Sequence, residues 1–108
     1  MRILKYELEI TDIQRIPLGT SDIRPLSVAE QNGKLMMWAE VEESYFPEGF
    51  KADMFVQIIG TGNPYDRGVA ARENFIGTVV MSYGLVWHVF AWVGYPEYSM
   101  KGAGMLEI

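Results

Sequence analysis

Two runs of strand-forming residues, 23–31 and 34–42, are joined by Asn32-Gly33, and that dipeptide constrains the fold more than any other feature of the chain. Asparagine and glycine together best tolerate the two positive φ angles of a type I′ turn, whose twist matches that of the strands it connects. A two-residue loop fixes the register. Because side chains alternate across a strand, Leu26, Val28, Leu35, Met37, Ala39 and Val41 then share one face, which the pattern assigns to the core. Ile23, Ser27, Ala29, Met36, Trp38, Glu40 and Glu42 share the other. That second face mixes Met36 and Trp38 with two acids, which predicts partial cover by a loop, the tail or another chain. Pro25 has no amide hydrogen to give to a ladder, which places its strand at a sheet edge or its amide on the unpaired side.

The rest of the chain reads in the same period of two. Leu4, Tyr6, Leu8 and Ile10 alternate with Lys5, Glu7 and Glu9, a half-buried strand. Residues 13–18 give a short extended stretch before the turn at Gly19-Thr20-Ser21-Asp22, and 52–59 give a strand that ends at Gly60-Thr61-Gly62-Asn63-Pro64. Residues 64–74 are a long loop, with one helical turn expected over 66–72. Residues 75–82 and 85–93 form a second hairpin about Tyr83-Gly84. A two-residue loop there sets Gly77 opposite Phe90, Phe75 opposite Trp92 and Val79 opposite His88, with Ile76, Thr78, Val80, Trp87, Val89 and Ala91 on the other side. Both faces are apolar, so the hairpin belongs in the middle of a sandwich or under a neighbouring subunit. The expected fold is all-β, an antiparallel β-sandwich or flattened barrel of about seven strands. One domain spans 1–93, and 94–108 is an arm that packs on its own domain or on a second subunit.

At 108 residues the chain is one domain, and 49% hydrophobic with 21% charged residues is ordinary globular stock rather than a disordered composition. The absence of cysteine excludes a thiolate nucleophile, a disulfide framework and a zinc-thiolate site, and a single histidine excludes a multi-histidine metal site. A net charge of −5 has the wrong sign for a protein that must neutralise phosphates, so nucleic acid is not an expected partner. No apolar run reaches the roughly 18 residues of a membrane span, and the amino terminus lacks a signal-peptide stretch. The expectation is a soluble protein of the cytoplasm.

Three features bear on chemistry. His88 lies within Trp87-His88-Val89-Phe90, where a buried imidazole needs hydrogen-bonded partners; sequence spacing supplies neither a nucleophile nor a carboxylate for it, so it reads as a core or interface histidine. Gly60-Thr61-Gly62-Asn63-Pro64 offers backbone amides to an anion as a glycine-rich nest does, with Thr61, Asn63, Arg67 and Arg72 as candidate ligand contacts. The alternative is a plain turn by which the chain leaves the sheet. Glu40, Glu42, Glu43, Glu48 and Asp53 gather charge at one end of the first hairpin, as a solvated edge that discourages aggregation or as a surface for a basic partner. Met36, Trp38, Tyr95 and Tyr98 are the candidate interface residues. No catalytic residue, metal ligand or cofactor is assigned.

Several blocks occur in a recognisable order: Ile3-Leu4-Lys5-Tyr6-Glu7-Leu8 with Thr11-Asp12, Leu26 to Leu35 leading to Trp38-Ala39, Ile59-Gly60-Thr61-Gly62-Asn63-Pro64, Phe75-Ile76-Gly77-Thr78-Val79, and Leu85-Val86-Trp87-His88-Val89-Phe90. In these the chain resembles a family of small bacteriophage and prophage proteins of unknown function, over most of residues 3–93. The resemblance implies a phage accessory origin and a compact β fold, and brings no catalytic residues with it. The expected function is that of a non-enzymatic accessory protein binding a host or viral protein, inhibition of a host defence system being one form of such binding. A homo-oligomer is expected. The reading rests on missing catalytic constellations and on Trp, Tyr and Met placed on strands whose second faces are solvated. A small-molecule or nucleotide-sequestering module at residues 60–64, and a structural virion component, are the alternatives.

Overall fold

The computed structural model describes residues 1–17, 22–42, 52–65 and 71–94. Among these, seven strands run in the order β1 (Arg2–Leu8), β2 (Ile13–Pro17), β3 (Ile23–Gln31), β4 (Lys34–Val41), β5 (Asp53–Gly60), β6 (Phe75–Val80) and β7 (Val86–Gly94), with a single 3-10 turn, Arg72–Asn74, before β6. They form two antiparallel sheets, one of three strands in the order β1-β4-β3 and one of four in the order β2-β5-β7-β6. This is the expected all-β sandwich. No helix of the described residues is long and apolar enough to cross a membrane.

The core lies between the sheets. Leu35, Met37, Ala39 and Val41 of β4 meet Met54, Val56 and Ile58 of β5 and Val89 and Ala91 of β7. Leu35, Met37, Met54, Val56 and Val89 are fully buried, each contributing about 1.5–3 kcal/mol of apolar burial. Two polar seams close the sides. Glu30 on β3 takes the Ser82 backbone N–H at 2.7 Å and its hydroxyl at 2.6 Å. On the opposite side Gln14 bonds the Glu9 backbone twice, accepting from its N–H at 3.0 Å and donating to its carbonyl at 2.7 Å. That side chain stands in for a ladder partner and lets the chain cross between sheets. It also ends β1 at Leu8, so Ile10, expected on the buried face, is 47% exposed.

The first hairpin forms as its turn dictates. Asn32 and Gly33 take φ of 54° and 79°, Gln31 pairs with Lys34, and Pro25 lies on the edge strand β3. The register slips between Pro25 and Ser27. This bulge inserts one residue and reverses the alternation before it. Leu26, expected in the core, is therefore 41% exposed, while Ile23, expected outside, is buried.

The second hairpin departs further. Its strands end at Val80 and begin at Val86, and the five residues between are closed by bonds from Met81 N–H to the Leu85 carbonyl and from Gly84 N–H to the Met81 carbonyl. The pairs are Phe75 with Phe90, Gly77 with Val89, Thr78 with His88 and Val79 with Trp87, with a bulge between Phe75 and Gly77. A shift of one residue exchanges the faces. Val79 enters the core, Val80 is exposed, and Thr78 rather than Val79 meets His88. Of the helical turn expected over 66–72, residues 66–70 lie outside the described residues, as do 95–108 of the expected arm, and Arg72 opens the 3-10 turn Arg72–Asn74.

Candidate functional site

On the outer face of the four-stranded sheet, Ile59 of β5 and Phe90 and Trp92 of β7 form a second apolar cluster, separate from the core. Phe55 stacks on its cross-strand partner Trp92, with ring centroids 6.0 Å apart. Phe90 carries two more rings. Phe75 meets it edge-on at 5.4 Å from β6, and Tyr65 meets it tilted at 5.9 Å from beyond the 60–63 turn. Together these rings make two walls and a floor.

The polar end of the same depression is built by the turn. Asn63 N–H donates to the Gly60 carbonyl at 3.1 Å and Gly62 sits at φ 90°, a conformation suited to glycine. The turn aims Thr61 back over β7. Thr61 Oγ1 lies 2.7 Å from His88 Nε2, and Thr78 Oγ1 lies 2.9 Å from His88 Nδ1. A hydroxyl both donates and accepts, so the two threonines satisfy either tautomer of the ring. When Nε2 carries the proton, Thr61 accepts from it and keeps its own O–H for a ligand; when Nδ1 carries it, Thr61 donates to Nε2 and offers lone pairs instead.

The result is an open groove of about 330 Å³ lined by Ile59, Gly60, Thr61, Gly62, Asn63, Tyr65, Phe75, His88 and Phe90. Its described lining carries hydroxyls, an amide and an imidazole, and neither a carboxylate nor a cation. A second depression shares Asn63 and Tyr65 and adds Asp12 and Gln57, the latter with its Oε1 buried and without a hydrogen-bond partner. Among the described residues no group of three or more metal-ligating side chains converges.

Of the ligand contacts expected from sequence, Thr61 and Asn63 come together here. Arg72, in the 3-10 turn, is exposed and does not line the groove, and Arg67 lies outside the described residues. Within the turn the Asn63 N–H is engaged by the Gly60 carbonyl, and no described cation lines the groove. Sequence reasoning missed Thr78, Tyr65, Phe75 and Phe90 as partners of one site. His88 reaches its threonines across 27 and 10 residues, and only sheet order and the shifted hairpin register bring them together.

Met36 and Trp38 lie side by side on the outer face of the three-stranded sheet, half-buried, as expected. Ile3, 62% exposed, stands beside them on β1. Lys5 reaches from β1 to Gln31 on β3 at 2.9 Å, crossing the middle strand and lending its stem as cover. Tyr95 and Tyr98 lie outside the described residues. The acidic edge is corrected in one member: Asp53 is buried, with Arg15 Nε 3.0 Å from its Oδ2, close enough for a charge pair though off the hydrogen-bonding direction. Glu42 sits 3.5 Å from the amino terminus, and Glu43 and Glu48 lie outside the described residues.

Comparison with curated proteins and with solved structures returns no match. The model of one family covers residues 1–97, all seven strands of the sandwich together with both faces described above, and the chain therefore belongs to the family described as Domain of unknown function (DUF7352).

Proposed function

We propose that this is a non-enzymatic accessory protein of bacteriophage or prophage origin that grips a host or viral protein in the host cytoplasm, with inhibition of a defence system as one outcome of that grip. The observation that carries the reading is the outer face of the three-stranded sheet. Trp38 and Met36 occupy the middle strand, Ile3 stands exposed beside them, and Lys5, Glu7, Arg24 and Glu40 surround them on the neighbouring positions. An aromatic anchor with apolar neighbours inside a charged rim is the pattern from which binding energy in protein interfaces is drawn.

The test is capture from phage-infected cells with three baits: the native chain, Trp38→Ala and Thr61→Val. A partner held by the native chain and by Thr61→Val but lost by Trp38→Ala supports the reading; capture indifferent to Trp38→Ala removes it. The same grip extends to a second copy of the chain. Light scattering at several concentrations reads it, and a monomer throughout withdraws that part.

A second reading, a small-ligand module, is favoured by one specific observation. The groove beside His88 joins three aromatic rings to a polar end. It lies on the opposite sheet from Trp38, so the two readings are separable by substitution.

A further inference from the structure

The groove has a chemistry more particular than that of an apolar depression. Its floor is the buried ring of Phe90, and Phe75 and Tyr65, which both line the groove, are inclined to that ring at 63° and 41°. Aromatic pairs of this kind favour inclined and offset contacts, which a third planar ring inserted between the walls can complete. At one end stand Thr61, Asn63 and His88; across the strand from Phe90, in the adjoining depression that Asp12 also lines, is the unpaired Gln57 Oε1. A buried acceptor without a partner is costly, and a ligand hydrogen is one way to satisfy it.

Charge narrows the class. The described lining holds no Arg, Lys, Asp or Glu, and the chain as a whole is at −5. A phosphorylated ligand finds no counter-charge among the described lining residues. A volume of about 330 Å³ sits at the small end of ligand pockets. It suits a single ring system with a short substituent.

We propose, resting on the small-ligand reading above, that the groove binds a neutral nitrogen heteroaromatic, a free nucleobase or nucleoside, with its ring between Tyr65 and Phe75 over Phe90 and its polar edge on Thr61 and Asn63. Donor–acceptor edges distinguish such rings from plain hydrocarbons. Thr61 meets either polarity, because the shift of one proton across His88 turns its hydroxyl from donor to acceptor. A serine or threonine hydroxyl without such a relay is equally versatile in solution, but here the second hydroxyl, Thr78, keeps the imidazole satisfied in both states.

The experiment titrates the native chain with adenosine, guanosine, cytidine and uridine, with adenosine 5′-monophosphate, and with indole, followed by amide shifts in NMR and by melting temperature. The expected result is saturable shifts at Thr61, Asn63 and His88 with at least one nucleoside, a raised melting temperature, and no tighter binding of the monophosphate. Thr61→Val lowers affinity about tenfold, the loss of one ligand hydrogen bond, and Tyr65→Leu, at an exposed position, lowers it while leaving the fold intact. Tighter binding of the monophosphate overturns the neutral class. Indole binding at the same residues without any nucleoside overturns the nucleobase assignment and spares the small-ligand reading. Silence from every probe ends both.

Discussion

Gly60 is where the turn, the groove and the end of the sandwich meet. A β-carbon built there stands 2.9 Å from Asn63 Nδ2 and 3.3 Å from Trp87 Cζ3. Asn63 Nδ2 ends an exposed side chain that can turn aside, whereas Trp87 packs against the core, so the strain falls on the Trp87 ring. Overpacking of this order costs about 1–3 kcal/mol. Gly60→Ala is expected to lower stability by about 1 kcal/mol in urea unfolding and to shift the Asn63 side-chain amide in NMR. An unchanged midpoint with an unmoved Asn63 would show that the packing around the turn is looser than these distances state. His88 sets a contrasting case. Its two hydroxyl partners sit on a solvent-facing side of the sheet, where water, itself a donor and an acceptor, replaces a lost bond, so Thr78→Val is expected to cost no more than about 1 kcal/mol in urea unfolding. A larger loss would mean that water does not reach His88 Nδ1 in that variant.

The hairpins show why one part of the fold is legible in sequence and another is not. Asn32-Gly33 acts through two φ angles, both local, and the structure follows it residue for residue. Gly33 sits at φ 79°, and a methyl added to it would meet no atom within 4 Å. Gly33→Ala therefore meets backbone strain alone, about 1–2 kcal/mol, measurable as a drop in unfolding midpoint with m unchanged. No drop would place the turn outside the left-handed region. The Tyr83-Gly84 loop carries a similar signal, yet five residues close it, and one residue of slip sends Val79 inward and Thr78 to His88. Nothing in the dipeptide fixes loop length, since Gly84 alone has positive φ. The bulge at Pro25 is invisible for a related reason: Pro25 has no N–H to hold the ladder in step, but which way the strand recovers depends on its partner. The bulge makes a paired prediction. Ile23→Ala, in the core, is expected to cost about 2–4 kcal/mol, and Leu26→Ser well under 1 kcal/mol; equal costs would restore the unbulged alternation.

At the scale of the molecule, the question is what keeps two sheets together when residues as far apart as Glu30 and Ser82 join them. Sheet order is not legible in the sequence, because a period of two names the inward face of each strand without naming its neighbour. The groove depends on that order, since β5, β7 and β6 must stand side by side before Thr61, His88 and Thr78 meet. The shared core holds the sheets together, with a polar seam at either side, of which the Glu30 fork on Ser82, at 2.7 and 2.6 Å, is the charged one. Magnitudes rank them. Met37 is wholly buried between the sheets, and Met37→Ala is expected to cost about 2–5 kcal/mol through lost contact and residual cavity. The fork is charge-assisted but ends on an exposed serine, so Glu30→Gln, which keeps the shape and removes the charge, is expected to cost about 1 kcal/mol. The two also differ in reach. Losing core packing lowers global stability and speeds hydrogen exchange throughout β4, β5 and β7, whereas losing the fork opens one seam and speeds exchange at Ser82 and its neighbours alone. If Glu30→Gln instead unfolds the chain as deeply as Met37→Ala, the seam rather than the core holds the sandwich shut, and the groove, on the far face of β6 and β7, is coupled to it through β6.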